Sequence, residues 1–133
     1  MISPDTLDVP DFLKVAYDFI RAFNEQDLDR FAGTLHPEIE LHSGRGIRKG
    51  VDEARRWARR APDGVQQTIV VEHAQPLSSG AHEVVVVAVV RRWCWEDGSP
   101  AGEEPLEWVF DLADGLVRRW RPYDGHGTAV TQL

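Results

Sequence analysis

The chain has 133 residues, 42% of them apolar and 28% charged, and a formal net charge of -7. That length suits one domain (residues 1–133) with a single sizeable core, and the composition excludes a wholly disordered chain. The acidic balance argues against a nucleic-acid partner, because such binders displace counterions with a cationic surface. No stretch approaches the roughly 18 consecutive apolar residues of a membrane span. Residues 1–20 carry Asp5, Asp8 and Asp11 where a signal peptide has a basic flank and an apolar centre. A cytoplasmic protein with no membrane partner is the expectation. Cys94 is the single cysteine, so no internal disulfide forms and the fold must be held by its core.

The first predicted helix starts after Asp8, with Phe12, Val15, Ala16, Phe19, Ile20 and Phe23 spaced to make one apolar face. A shorter helix follows Asp27 as N-cap, turns Leu28, Phe31 and Leu35 inward, and ends at His36-Pro37, since the residue before proline is pushed out of helical geometry. Ile39, Leu41 and Ser43 then alternate with Glu40 and His42 as a strand. The glycines at 44, 46 and 50 read as a loop into a third helix, whose inner face is Val51, Ala54, Trp57 and Ala58. Arg55, Arg56, Arg59 and Arg60 follow Asp52 and Glu53 in that helix, an order favoured by the helix dipole and by an Asp52–Arg56 pair, and read as a solvated face.

From Val65 onward the pattern is antiparallel sheet: Gln67 to Ala74, His82 to Trp95, Leu106 to Leu112 and Leu116 to Asp124. Val84 to Val90 is apolar on both faces, so this strand is expected at the centre, covered on both sides. An apolar outer face on a small sheet points to a subunit interface, and a homodimer through that face is predicted. The turn Ala113-Asp114-Gly115 reads as a three-residue loop that sets Trp108 opposite Trp120, Leu106 opposite Pro122 and Glu107 opposite Arg121. A two-residue turn at Asp114-Gly115 would instead set Trp108 opposite Arg121. The three-residue loop puts Leu106, Trp108, Phe110 and Leu112 inward with Leu116, Trp120, Pro122 and, at the mouth, Asp124.

The amphipathic hairpin ending in Trp120-Arg121-Pro122-Tyr123-Asp124, the helical first third and the Val-rich middle together resemble the nuclear transport factor 2-like superfamily, in its bacterial SnoaL-like and ketosteroid-isomerase-like branch. The resemblance covers nearly the whole chain. It implies an α+β fold, in which three N-terminal helices pack in the concavity of a cone-shaped, mostly antiparallel sheet and leave an open-ended cavity for a small apolar or polycyclic molecule. By comparison with that family, the inward face of the long strand is assigned to Val86, Ala88, Val90, Arg92 and Cys94. Phe19, Leu41, Ser43 and Trp57 are expected to line the cavity with Val86, Ala88 and Val90, and with Trp108, Phe110, Trp120 and Pro122 of the hairpin.

The resemblance names a pocket, not a reaction. The general-base aspartate of ketosteroid isomerases falls on Ser43, their oxyanion-stabilising tyrosine on Phe19 and their protonated aspartic acid on Trp108, so the base and donors of that mechanism are missing. Limonene-epoxide-hydrolase-like enzymes share the Trp-Arg dipeptide at Trp120-Arg121, but their following aspartate is Pro122 here. Their Arg and Asp on the long strand fall on Ala88 and Val90, or on Val90 and Arg92. Asp124 and Arg92 are left as the charged pair at an aromatic pocket, a general base and an oxyanion stabiliser for isomerase, hydrolase or cyclase chemistry without a cofactor. The alternative is a rim salt bridge on a binding or dimerisation module. His36, His42, His73 and His82 lie on separate elements without convergent spacing, so no metal site is expected, and Cys94 reads as a structural thiol.

Overall fold

A computed structural model describes residues 11–44, 46–59, 65–79 and 82–127. In chain order these form α1 (Asp11–Glu25), α2 (Leu28–Gly33), β1 (Leu35–Ser43), β2 (Gly46–Lys49), α3 (Val51–Ala58), β3 (Val65–Ser79), β4 (His82–Trp95), β5 (Pro100–Ala113) and β6 (Leu116–Asp124). The strands make one sheet in the order β2-β1-β6-β5-β4-β3. Among the described residues only β1 and β6 pair in parallel; every other neighbour is antiparallel. The fold is therefore the expected α+β arrangement, three helices on one face of an open, mostly antiparallel curved sheet. The helix start placed after Asp8, the Phe12 side chain and Arg60 lie outside the described residues.

α1 buries Ala16, Phe19, Ile20, Ala22 and Phe23 and leaves Arg21 and Glu25 outside as an i,i+4 ion pair at 3.0 Å. It stops where Gln26 takes a left-handed φ of 56°. The Gln26 N–H bonds the Phe23 carbonyl (3.2 Å) and the Asp27 N–H bonds that of Ala22 (3.0 Å), which satisfies two carbonyls of the last turn. Gln26 Nε2 also donates to the Ala58 carbonyl (2.9 Å), tying the ends of α1 and α3 together. Asp27 caps α2 as expected, its carboxylate accepting the Arg30 N–H at 3.1 Å.

Several boundaries differ from the sequence reading. α2 ends at Gly33 with Thr34 as C-cap, and Leu35 opens β1 instead of closing the helix. The predicted glycine loop contains β2, paired from Glu40–Lys49 to Ser43–Gly46. In α3 the acid–base pairing uses Glu53 with Arg56, and Arg55 reaches Asp29 at 3.0 Å. Pro37 lies inside β1, where the pairing with β6 shifts register between Leu35 and Glu40, as expected of a residue with no N–H to give a ladder.

The hairpin of β5 and β6 has a two-residue turn, not the three-residue loop. Asp114 (φ 55°) and Gly115 (φ 75°) both take left-handed conformations, the geometry whose twist matches a hairpin. Arg118 is then unopposed between the pairs Leu112–Val117 and Asp111–Arg119. Turn and bulge together set Trp108 opposite Pro122, Phe110 opposite Trp120 and Leu106 opposite Asp124, two residues from the predicted register. A shift of two preserves face, so Leu106, Trp108, Phe110 and Leu112 do point inward, with Val117 and Trp120.

The long strand β4 faces the other way from its assignment. Val85, Val87 and Val89 are completely buried in the main core against α1, whereas Val86 belongs to a small outer cluster with Val109, Leu77, Val84 and Tyr123. Directly opposed residues share a face, and Val87 opposes the inward Trp108 while Ala88 opposes Glu107. Val86, Ala88, Val90, Arg92 and Cys94 are therefore on the outer face. The outer surface divides in two. One part carries the valines of β4 and β5 with Tyr123 of β6 packed against them, and the other carries ion pairs across β5, β6 and β1: Asp111 with Arg119 (3.5 Å) and Arg121 (3.1 Å), beside Glu40 with Arg118 and Arg119 (both 3.8 Å).

Candidate functional site

Aromatic rings stack from the centre of the core toward one end of the curved sheet. Phe19, fully buried, lies 4.7 Å from Phe31 and 5.0 Å from Phe110, ring centre to ring centre. Above it Trp57 of α3 lies 4.7 Å from Trp120, and Trp108 meets Trp120 edge to face at 5.0 Å. Beyond the indoles a cavity of about 270 Å3 opens. Phe23, Trp57, Trp108, Trp120, Leu106 and Pro122 form its wall, and Ser43, Gly44, Gln67, Arg91, Glu104 and Asp124 supply its polar part.

Of the expected lining residues, Ser43, Trp57, Trp108, Trp120 and Pro122 reach this cavity, and so does Asp124. Phe19, Leu41 and Phe110 are inward but completely buried beneath it, in the core rather than on the wall. Val86, Ala88 and Val90 do not line it, because the parity of β4 sets them outside. The same parity separates Arg92 from Asp124: Arg92 is on the outer face, bonded to Glu103 through Nε at 3.2 Å. The expected pair of Asp124 with Arg92 is thus not formed.

Arg91 takes the inward place. Its Nε donates to Gln67 Oε1, its Nη1 lies 3.4 Å from Glu104 Oε1, and its guanidinium sits 4.6 Å from the centre of the Trp93 ring. Three neighbours from β3, β4 and β5 thus hold one cation at the cavity, a geometry that suits a planar guanidinium. Glu104 opposes Arg91 across the β4–β5 ladder, and Asp124 opposes Leu106 at the end of β6, exposed at the mouth. Phe23, Gly44, Gln67, Arg91, Glu104 and Leu106 were not singled out as lining from the sequence. Leu106 was already on the correct face; for Arg91, Gln67 and Glu104 the signal would have been the parity of β4, which its all-apolar centre conceals.

Trp120 Nε1 is buried without a hydrogen-bond partner among the described residues, so the indole ring meets the other tryptophans through its faces and edges. Ser43 Oγ donates to the Gly46 carbonyl at 3.2 Å. His126, two residues beyond β6, lies 2.9 Å from the Val89 carbonyl through Nε2. On the outer side of β1, Glu40 is held below its ordinary value of 4.5, first by its hydrogen bond with His42, then by the charges of Arg119 and Lys49, against the opposing effect of burial. Among the described residues no group of three His, Cys, Asp or Glu side chains is placed to hold a metal ion. No described helix is long and apolar enough to cross a membrane.

The chemistry available is that of an aromatic slot with charge only at one end. Asp124 offers an exposed carboxylate, and Arg91 an oriented donor backed by Glu104. The family profile of the SnoaL-like domain matches residues 16–120. No curated protein matches the sequence significantly. Among solved structures, the chain is similar to an epoxide hydrolase of the LEH-like kind from Mycobacterium tuberculosis (TM-score 0.66, 18% identity, covering 86% of this chain and 82% of that one). It is also similar to ActVI-ORFA from Streptomyces coelicolor (0.70, 13%, 87% and 96%). A third similar structure is a Mycobacterium tuberculosis protein in complex with estradiol-17beta-hemisuccinate (0.69, 16%, 87% and 95%). At these identities the likeness is one of fold.

Proposed function

The chain belongs to the SnoaL-like domain family, and from that premise we propose that it is a cytoplasmic protein that binds a small, flat, apolar molecule in the tryptophan-walled cavity and transforms it without a cofactor. The observation that carries this reading is the cavity of about 270 Å3 whose wall is aromatic and whose charged groups gather at its open end. That volume is just below the about 300–1,000 Å3 usual for drug-sized ligands, which favours one or two fused rings over a larger polycycle. Asp124 acts as the general base at the mouth. Arg91, held by Gln67, Glu104 and Trp93, stabilises the oxygen on which negative charge develops, in the place first assigned to Arg92. Isomerisation, hydration and ring closure all fit this division of labour.

Trp57, Trp108 and Trp120 report on occupancy through their fluorescence. A panel of one- and two-ring ketones, epoxides and lactones is titrated first, and any binder is then followed for turnover. Asp124→Asn is expected to slow turnover by about 100-fold or more, the usual range for removing a general base, while the fluorescence change persists. Unchanged turnover would remove Asp124 from the mechanism. Binding with no turnover in the unaltered protein would favour the second reading, a ligand-binding module, which is motivated by the absence of the ketosteroid isomerase and limonene epoxide hydrolase catalytic sets. The apolar part of the outer face, centred on Val86 and Val109, is proposed to pair with a second copy of the chain.

A further inference from the structure

The parallel ladder of β1 and β6 pairs Glu40 with Arg119 and Leu41 with Trp120, and goes no further. β1 turns away through Gly44 into its hairpin with β2, and Pro122 of β6 has no N–H with which to extend a ladder. The two strand ends therefore part. At this gap a second recess lies beside the inner cavity, and the two share Ser43, Gly44, Pro122 and Asp124 as lining. The outer recess adds His42, Arg121 and Tyr123, the side chains that alternate away from the inner face. It lies at the β1–β6 end of the sheet and borders the valine cluster around Val86 and Val109 through Tyr123, which packs against that cluster.

We propose that the cavity's ligand is a ring-and-tail molecule. Its one- or two-ring head fills the tryptophan slot, and an uncharged tail bearing a carbonyl oxygen, as in an ester or amide, passes between β1 and β6 to the outer recess. This rests on the reading of the cavity as a ligand site. The tail's chemistry follows from what surrounds it. Arg121 and Arg119 share the single carboxylate of Asp111, at 3.1 and 3.5 Å, so Arg121 has donor capacity beyond the partner it meets. Tyr123 adds a hydroxyl able to donate, and His42, whose Nε2 already donates to Glu40, lines the recess beside it. An ionised tail, by contrast, would have to pass the carboxylate of Asp124 at the neck, so an uncharged acceptor fits better than a carboxylate.

Gly44 lines both recesses, and a Cβ built on it meets nothing within 4 Å, so a large side chain can be placed there to narrow the passage. The probes are naphthalene, methyl 4-(2-naphthyl)butanoate and the corresponding free acid, titrated calorimetrically at neutral pH. In the unaltered protein the ester is expected to bind about tenfold tighter than naphthalene, about 1.4 kcal/mol, and also tighter than the acid. In Gly44→Phe the ester-to-naphthalene affinity ratio falls back by about the same tenfold. As a readout independent of any variant, the ester and not naphthalene shifts the ring resonances of His42 and Tyr123. An ester that gains nothing over naphthalene, or a ratio unmoved by Gly44→Phe with no shift at His42 and Tyr123, overturns the tail while leaving the cavity reading intact. An acid that binds tighter than the ester overturns its uncharged character. If neither naphthalene nor the ester binds, the cavity reading fails and the tail with it.

Discussion

Glu40 shows how much of the outer surface depends on single charges. Its carboxylate accepts from His42 at 3.1 Å, lies 3.8 Å from both Arg118 and Arg119, and titrates below its ordinary 4.5. A carboxylate with a folded-state pKa below its unfolded value contributes stability that is present above the unfolded value and lost as pH falls through the folded one. Urea unfolding followed as a function of pH should therefore show a loss of stability below about pH 4.5 to which Glu40 contributes. Glu40→Gln should flatten that part of the curve and lower stability near neutrality. An unchanged acid limb would mean that His42 and the arginines do not favour the ionised form. Residues of this kind were legible in the sequence only as outward polar positions. Which arginine meets which acid depended on the bulge at Arg118, and no residue type in the hairpin announces that bulge.

At the scale of elements, the Asn24 side chain partners the edge of β3 at Ile69. Asn24 of α1 accepts the Ile69 N–H through Oδ1 and donates through Nδ2 to the Ile69 carbonyl, both at 2.8 Å, as a neighbouring strand would. Asn24→Ala leaves both main-chain groups without that partner in a part-buried position, which should cost about 1–3 kcal/mol and lower the melting temperature by several degrees. Hydrogen exchange at the Ile69 amide should accelerate selectively; exchange that stays slow would show that the edge is protected by other means. The strands also show where periodicity stops being informative. In β5 and β6 apolar and polar positions alternate, so the inward set of Leu106, Trp108, Phe110 and Trp120 could be read although the turn was mistaken. In β4 the run Val84 to Val90 is apolar at every position, and nothing in it distinguishes Val85 from Val86. The inward face taken from the family resemblance, with Arg92 and not Arg91, has nothing in this run to test it, and a slip of one residue exchanges the two faces.

For the whole molecule, the outer valines set the expected state of assembly. Val86 and Val109 are nearly or fully buried within one chain, while Val84, Ala88 and Val90 beside them are only half-buried. Ala88→Glu places a charge on this patch without emptying the core, and should convert a dimer at micromolar concentration into a monomer in sedimentation equilibrium, while the chain retains its fold. A monomeric parent protein would sink the proposed pairing. The parallel contact of β1 with β6 reaches across most of the chain: the Val117 N–H bonds the Thr34 carbonyl at 2.8 Å, and Arg118 bonds the Glu38 carbonyl across 80 residues of sequence. During synthesis the amino-terminal helices and β1 leave the ribosome long before their partner exists. Until residues 116–124 arrive, Ile39 and Leu41 are left with an unfilled side, and the meander β3–β4–β5 with an open flank. Completion of the sheet therefore waits for β6, and a chain that stops short of it leaves this apolar surface open to water.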